Sequence, residues 1–553
     1  MKEMKRVIGI VLCLAVCLTL LAGCGGKENT DTPSASPPAS GSSSPAAPGT
    51  SSPPPSSSSS PDNMSVIETD APPPAEAEYV DHIVVASETI AVIDLFNPAF
   101  GSAWIQIVSR MFTDSLVYCN IDGGYEPMLA TDWGTEDGKV YWFKLRDDVY
   151  FHNGEHFTAA DVLYTLNRAK DSPGTPMYDA VKQVESIVAV NDYEVIITLE
   201  AINVDFMYTI STPTIAMVNE KAYNDDPDKG AWIGTGPWII TSFVPTERIE
   251  FVRNDNYFGE IPVTKSITFL YVAEQTAALI MLENGEIDFN QLNAVNVPIY
   301  ENDDRFVLKN YIMNNCNYLA FNMMKPITAD INFRMAVAHA IDRQQIVDIA
   351  VGGYGQPVQW GTFWGYRTAF KNNDIPLIPY DLDKAREYLA KSSYKGETIE
   401  LVAAMAHTIA TAQVVQQNLQ QIGINVTIFD TDPPSLASYV TWGHTKADIV
   451  VNSAVATLPS NMRSYLYSGI NANTANYTNP VVEELLDKAF VTVDDAEREK
   501  LYYEIQEIVA GEIPYLGTMH MGMYRIEAAG CGGAIYFPNN NWDFTHVYKV
   551  KQP

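Results

Sequence analysis

Between Gly25 and about Glu78 the chain has almost no large apolar side chain. The run "SASPPASGSSSPAAPGTSSPPPSSSSSP" within it is built from Ser, Pro, Ala, Gly and Thr alone. Ordering such a stretch costs roughly 1–2 kcal/mol of backbone entropy per residue, with no burial to offset it. It reads as a linker, extended by its prolines and kept hydrated by its serines. About 50 residues at roughly 3 Å each reach at most ~150 Å. The linker leaves a body of some 475 residues, 79–553. That is too long for one hydrophobic core and long enough for two or three lobes.

Ahead of the linker, Lys2, Lys5 and Arg6 precede an apolar run of about 15 residues, Val7–Leu21. A membrane-spanning helix needs roughly 20. A basic start, a short apolar core and small residues at its end describe an export signal. Leu21-Ala22-Gly23-Cys24 is similar to the bacterial lipobox. That resemblance implies a signal peptide over 1–23, a lipidated Cys24 that opens the mature protein, and a linker over 24–78. It places the body at the extracellular face of the cell membrane. Cys13 and Cys17 leave with the signal, so the body keeps Cys119, Cys316 and Cys531. At most one disulfide is possible, and the fold is not built on them.

Lys plus Arg number 35 and Asp plus Glu 67, a formal net charge of −32. A polyanion would be repelled, so nucleic acid is excluded as a partner. Anionic lipid offers no attraction either, which suits a covalent anchor. The 30 tyrosines and 9 tryptophans serve core packing first and stacking walls second.

Strand and helix signals alternate through the body. "HIVVASE" (82–88) reads as a strand. "VYWFKLRDDVYF" (140–151) alternates, with Tyr141, Phe143 and Leu145 on one face. Thr158 with Asp161 makes a capping box ahead of Val162, Leu163 and Leu166. "PYDLDKAREYLAKSSY" reads as a helix. "AQVVQQNLQQIGINVTIFD" reads as a helix passing through Gly423 into a strand. Asp494 and Asp495 open another helix, which Gly511 is expected to stop before Pro514 introduces the strand "YLGTMHMGMYRI". The class is α/β in several lobes.

"HNGEH" (152–156) matches the H-x-x-E-H pattern of inverted zinc peptidases, whose histidines project from one helical face. Here it follows a strand and contains the turn pair Asn153-Gly154, so no metal site is expected. The other histidines are isolated, and no G-x-S-x-G elbow, Walker loop, dinucleotide fingerprint or Cys-x-x-Cys pair occurs in the body. Neither an enzyme nor a cofactor is expected.

The same region carries a resemblance. Pro127, Leu129, Ala130, Trp133, Phe143, Leu145, Arg146, Phe151, His152, Gly154, Phe157, Ala160, Asp161 and Val162 follow one another as "P-x-L-A-x-x-W", "F-x-L-R" and "F-H-x-G-x-x-F-x-A-x-D-V". "GTGPW" (234–238), "RNDNYFG" (253–259), "LAFNMMKP", "FRMAVAHAIDRQQIV" and "NYTNPVVEELLDKA" add further matches. Together they resemble the family-five extracellular solute-binding proteins, the oligopeptide and dipeptide-binding group, over essentially the whole body.

The resemblance implies a two-lobed, periplasmic-binding-protein-like α/β fold (type II, cluster C) with an extra small domain on the first lobe. It divides the chain into 79–122 and 231–314 (first lobe), 123–230 (small domain), 315–512 (second lobe) and 513–553 (return to the first lobe). The crossings are expected near Asn315–Asn322 and Ile513–His520. It implies a monomer that closes on a peptide or other small solute and docks on the permease subunits of an ATP-driven (ABC) importer, with a sensor that passes a peptide signal to a receptor as the alternative and a surface hydrolase as a less favoured one. Most matched residues are expected to be structural, among them Asp161, Gly154, Gly236, Arg334 and Asp342.

Peptide-binding members follow the strand equivalent to "ADIVV" (447–451) with a Trp and an acid that receives the peptide's amino terminus. This chain has "NSAVATLPSN" (452–461) instead, with Asp430 or Asp432 as the nearest substitutes. Glycans, blocked or cyclic peptides, opines and metal chelates thereby join linear peptides as candidate solutes. Trp360, Trp364, Tyr366 and Arg367 are expected on the cleft wall. Asn452 and Ser453 are expected to offer neutral hydrogen bonds, with Phe96 and Asn97 in the loop after the first strand.

Overall fold

The computed structural model describes residues 76–88, 93–97, 103–120, 124–361, 363–365, 368–455, 458–537 and 542–551. The signal, Cys24 and the linker up to residue 75 lie outside these residues, as do Tyr366 and Arg367.

Two sheets share one strand. The first runs in the order Trp238–Val244, Arg248–Arg253, Ser266–Tyr271, His82–Ser87, Phe289–Leu292, and then a 14-residue strand, Tyr515–Ala528, that also pairs with Phe306–Ile312. The second runs Asn425–Asp430, Thr398–Ala403, Ile449–Val455, Asn315–Phe321, and then the same long strand, edged by Gly355–Pro357. The long strand pairs through Tyr515–Met519 with Asn315–Phe321 and through Gly522–Ala528 with Phe306–Ile312. The chain therefore passes between the sheets at Met313–Asn314 and again around Met519–Gly522. Met313 N–H closes the passage by donating to Met521 O at 2.9 Å.

A third, four-stranded sheet of Ala130–Thr135, Val140–Leu145, Glu194–Leu199 and Val184–Asn191 forms the small domain. Alternation decides its faces: Tyr141, Phe143 and Leu145 are buried, while Val140 and Lys144 are exposed. The helix Ala159–Lys170 covers it, with Val162 and Leu166 in the shared core. Its N-terminus carries the expected capping box. Asp161 Oδ2 accepts from Thr158 N–H at 3.0 Å, and Thr158 Oγ1 accepts from Ala160 N–H. Each orphaned amide so satisfied stabilises the helix by about 1 kcal/mol.

In the second lobe, helix Ala406–Gln420 turns through Gly423, at φ +85°, into Asn425–Asp430 as expected. The stop at Gly511 is not observed. The helix runs Asp495–Glu512 and ends at Ile513, whose φ of 49° is left-handed. Glu512 fixes that end. Its carbonyl accepts from Arg334 Nε, and its carboxylate accepts from Tyr477 and Asn479. Ile513 is drawn into the core, and Pro514 prevents continuation.

Cys119, Cys316 and Cys531 are free thiols. Among the described residues no helix is long and apolar enough to cross a membrane.

Candidate functional site

The strand registers locate one region where both sheets present the same kind of edge. His82–Ser87 is parallel to Ser266–Tyr271 and to Phe289–Leu292. Phe289 opposes Glu527 and Leu292 opposes Tyr524, so these strands run toward the passage and end there. In the other sheet Ile449–Val455 is parallel to Thr398–Ala403, and its last residue opposes Asn315. The carboxyl ends of both parallel sets thus converge on Met313–Asn317 and Met519–Gly522. In open α/β sheets, ligands bind outside the carboxyl ends of the strands.

The passage is polar although it is buried. Asn314, Asn315, Asn317, Gln356, Lys371 and His520 are each less than a tenth exposed, and Arg525 and Glu527, farther along the long strand in the first lobe, are fully buried. Burial lowers the His520 pKa to about 3, with Lys371 adding to it, so the ring is neutral. Its Nδ1 lies 2.5 Å from Asn315 O. Burial likewise brings the Lys371 ammonium down to about 7, and its Nζ sits 3.6 Å from the centre of the Trp360 ring. Asn315 Nδ2 donates to Ser453 Oγ at 3.4 Å. On the first-lobe side the Arg525 guanidinium lies over Trp542 at 3.9 Å and donates to Tyr311 Oη at 2.9 Å. Glu527 accepts from Tyr536 Oη at 2.6 Å. Such a floor offers neutral donors and acceptors together with held cations. Among the described residues no group of three or more His, Cys, Asp or Glu side chains could hold a metal ion. His152 and His156 are instead engaged with the backbone carbonyls of Gly236 and Asp147.

The model of bacterial extracellular solute-binding proteins, family 5, matches residues 124–475, well over half of the chain. The chain belongs to this family. As a family-5 solute-binding protein it is two-lobed and of the kind that serves ABC importers. It is 25% identical to the nickel-binding periplasmic protein of Escherichia coli K12 over 78% of this chain and 88% of that protein. It is 26% identical to heme-binding protein A of Haemophilus influenzae over 77% and 85% of the two chains. Among solved structures, the ABC transporter substrate-binding protein CtaP from Listeria monocytogenes superposes with a TM-score of 0.78 at 23% identity, covering 86% of this chain and all of that one. NikA from Brucella suis, in complex with Fe(III)-EDTA, gives 0.74 at 22%, covering 85% of this chain and all of that one.

In this family-5 protein the expected wall residues separate. Asn452 and Ser453 stand at the carboxyl end of Ile449–Val455, opposite Tyr318 and Asn317, and are half-buried. Trp360 is half-buried beside Lys371. Trp364, expected on the wall, is 1% exposed and packs edge-on against Phe363 and Tyr465. The cavity next to it is about 10 Å³, room for a water at most. It is a core residue, because both ring faces meet protein. Phe96, expected in the loop, is buried against Tyr223 and Arg168 of the small domain. Asn97 is half-buried in the turn that its N–H closes onto Asp94 O. Asp432 spends its carboxylate capping Pro433–Val440, while Asp430 is exposed at a strand end.

Arg334 and Asp342 are structural: Arg334 donates to Glu512 O and Thr328 O, and Asp342 caps Arg343–Ala350. The sequence reading missed Gln356, Lys371, His520, Arg525 and Glu527. One signal was available, since "TMHMGMYRIEA" sets a histidine, an arginine and a glutamate into an otherwise apolar strand.

Proposed function

We propose that this family-5 protein is a lipid-anchored receptor that captures a peptide-like or other small polar solute at the passage and hands it to an ABC importer. The working division is the one the sequence suggests, with lobes of 79–122 plus 231–314 and of 315–512, a small domain of 123–230 and a return over 513–553. The observation that carries the reading is the convergence of both sheets' carboxyl ends on one polar, buried passage. A solute held there touches both lobes and so favours their closed arrangement. Trp360, Asn452, Ser453 and Asn97 are the described residues offered as solute contacts, with Tyr366 and Arg367 beside them in sequence.

The wall at Asn452 and Ser453 is uncharged. A solute ammonium placed there would lack the carboxylate that a buried cation requires. This favours a blocked or cyclic peptide, a glycan, an opine or a metal chelate over a linear peptide with a free amino terminus. Relatives named for nickel, heme and glutathione show how widely specificity ranges on this fold. Cys24 supplies the anchor, so Cys24→Ser should move the protein from the membrane fraction to the medium.

The test is mass spectrometry of whatever small molecule the purified Cys24→Ser chain carries. Re-adding a true solute at ~100 times its dissociation constant adds roughly 2.7 kcal/mol and raises the Tm. A linear peptide with a free amino terminus would refute the neutral-wall argument. A product altered from an added substrate would refute the binding reading.

A further inference from the structure

The small domain also reaches the second lobe. Gly138 lies in the turn between Ala130–Thr135 and Val140–Leu145. It is so near Val493 that a Cβ on it would stand 3.0 Å from Val493 Cγ2. Asp205 holds the N-cap position of Phe206–Ser211 but makes no capping bond. Burial raises the pKa of its carboxylate, and the nearby Ser460 hydroxyl and the through-space charge of Arg498 oppose that rise. Ser460 belongs to the turn Pro459–Asn461, in the second lobe.

Arg498 is fixed by its own helix start. It donates to Thr492 O at 3.0 Å and pairs with Asp495, with a side chain 16% exposed. Tyr502, one helical turn on, lies within the field of Asp205.

The small domain is tied to the first lobe. Ala130 N–H donates to Leu116 O at 2.7 Å, and His152 N–H donates to Gly234 O at 2.9 Å. The second lobe joins the first through Met313–Asn314 and the long strand. A rotation that opens the lobes about those two connections would carry Val493 and Arg498 away from Gly138 and Asp205.

We propose that this contact is a second closing surface, by which the small domain clamps the second lobe when the lobes come together. Asp205, Ser460 and Arg498 then act as positioning residues for solute capture without touching solute. The inference rests on the two-lobe capture reading. A contact present only in the closed state shifts the open–closed population, and with it the apparent affinity.

Two variants of the full chain test it. In Gly138→Cys/Val493→Cys a Cβ at 138 stands 3.0 Å from the Val493 Cγ2 position, close enough for a disulfide, although φ of +67° at 138 strains any side chain there and lowers the Tm of the reduced form. The pair should cross-link under mild oxidation without added solute, and the oxidised form should exchange solute at least ~10-fold more slowly than the reduced form. Asp205→Lys, which puts a like charge near Arg498 at a buried site, should remain folded by circular dichroism with a lowered solute-free Tm. It should lower the affinity for the small-molecule extract released from denatured wild-type protein by ~10-fold, and enlarge the radius of gyration by small-angle scattering. Absent cross-linking together with wild-type affinity in Asp205→Lys would overturn the proposal. A wild-type protein that shows no Tm shift with its own extract would instead overturn the capture reading, and the cross-link would still report on the contact.

Discussion

Asp114 is buried just past helix Ala103–Phe112, where Thr235 Oγ1 donates to it at 2.8 Å and Tyr257 Oη at 3.5 Å. Burial outweighs those bonds and raises its pKa to about 7. Between the unfolded value near 3.9 and about 7 the unfolded chain ionises while the folded one does not, so stability falls as pH rises and is level above. Asp114→Asn should flatten urea stability between pH 4 and 7, with a gain at pH 7.5 of up to about 4 kcal/mol. An unchanged pH profile would contradict the burial argument. At Asn452 the expectation concerns specificity. Asn452→Asp should tighten binding of a linear dipeptide by ~10-fold or more in calorimetry, while an unaltered affinity would remove Asn452 from the wall. The sequence could name Trp360 and Trp364 as one aromatic run. It could not say that four residues on, the ring turns inward, because that depends on Tyr465 and Phe363 closing over it.

Local elements with their own stop and start chemistry were legible: the capping box at Thr158 and Asp161, the Gly423 turn, and the alternation of Val140–Leu145. Asp161→Ala should cost about 1 kcal/mol in denaturant unfolding. The end of Asp495–Glu512 was not legible, because nothing in an isoleucine announces a left-handed backbone. Its conformation is imposed by Glu512's partners and by the core that receives Ile513. The long strand was read as a strand, but its membership of two sheets depends on partners about 200 residues away. At its crossing, a Cβ on Gly522 would stand 2.8 Å from Tyr354 O. Gly522→Val should therefore push Gly355–Pro357 off the strand. The cost should be about 1–3 kcal/mol of stability, read as a lower denaturation midpoint.

At the scale of the molecule, one continuous strand and one two-residue link join lobes that otherwise have separate cores. Few connections and large separate cores suit rotation of intact bodies over deformation of either. The family motifs made this architecture readable from the sequence. The floor of the candidate site was not readable, because Asn315, Gln356 and His520 meet only through the pairing of distant strands. Hydrogen exchange read by mass spectrometry tests the central claim most directly, comparing the solute-free Cys24→Ser chain with the same chain after its extract is returned. The account predicts new protection at 313–318, 452–455 and 518–523, the edges that converge on the passage. Protection confined to the small domain's outer sheet, with those segments unchanged, would contradict it.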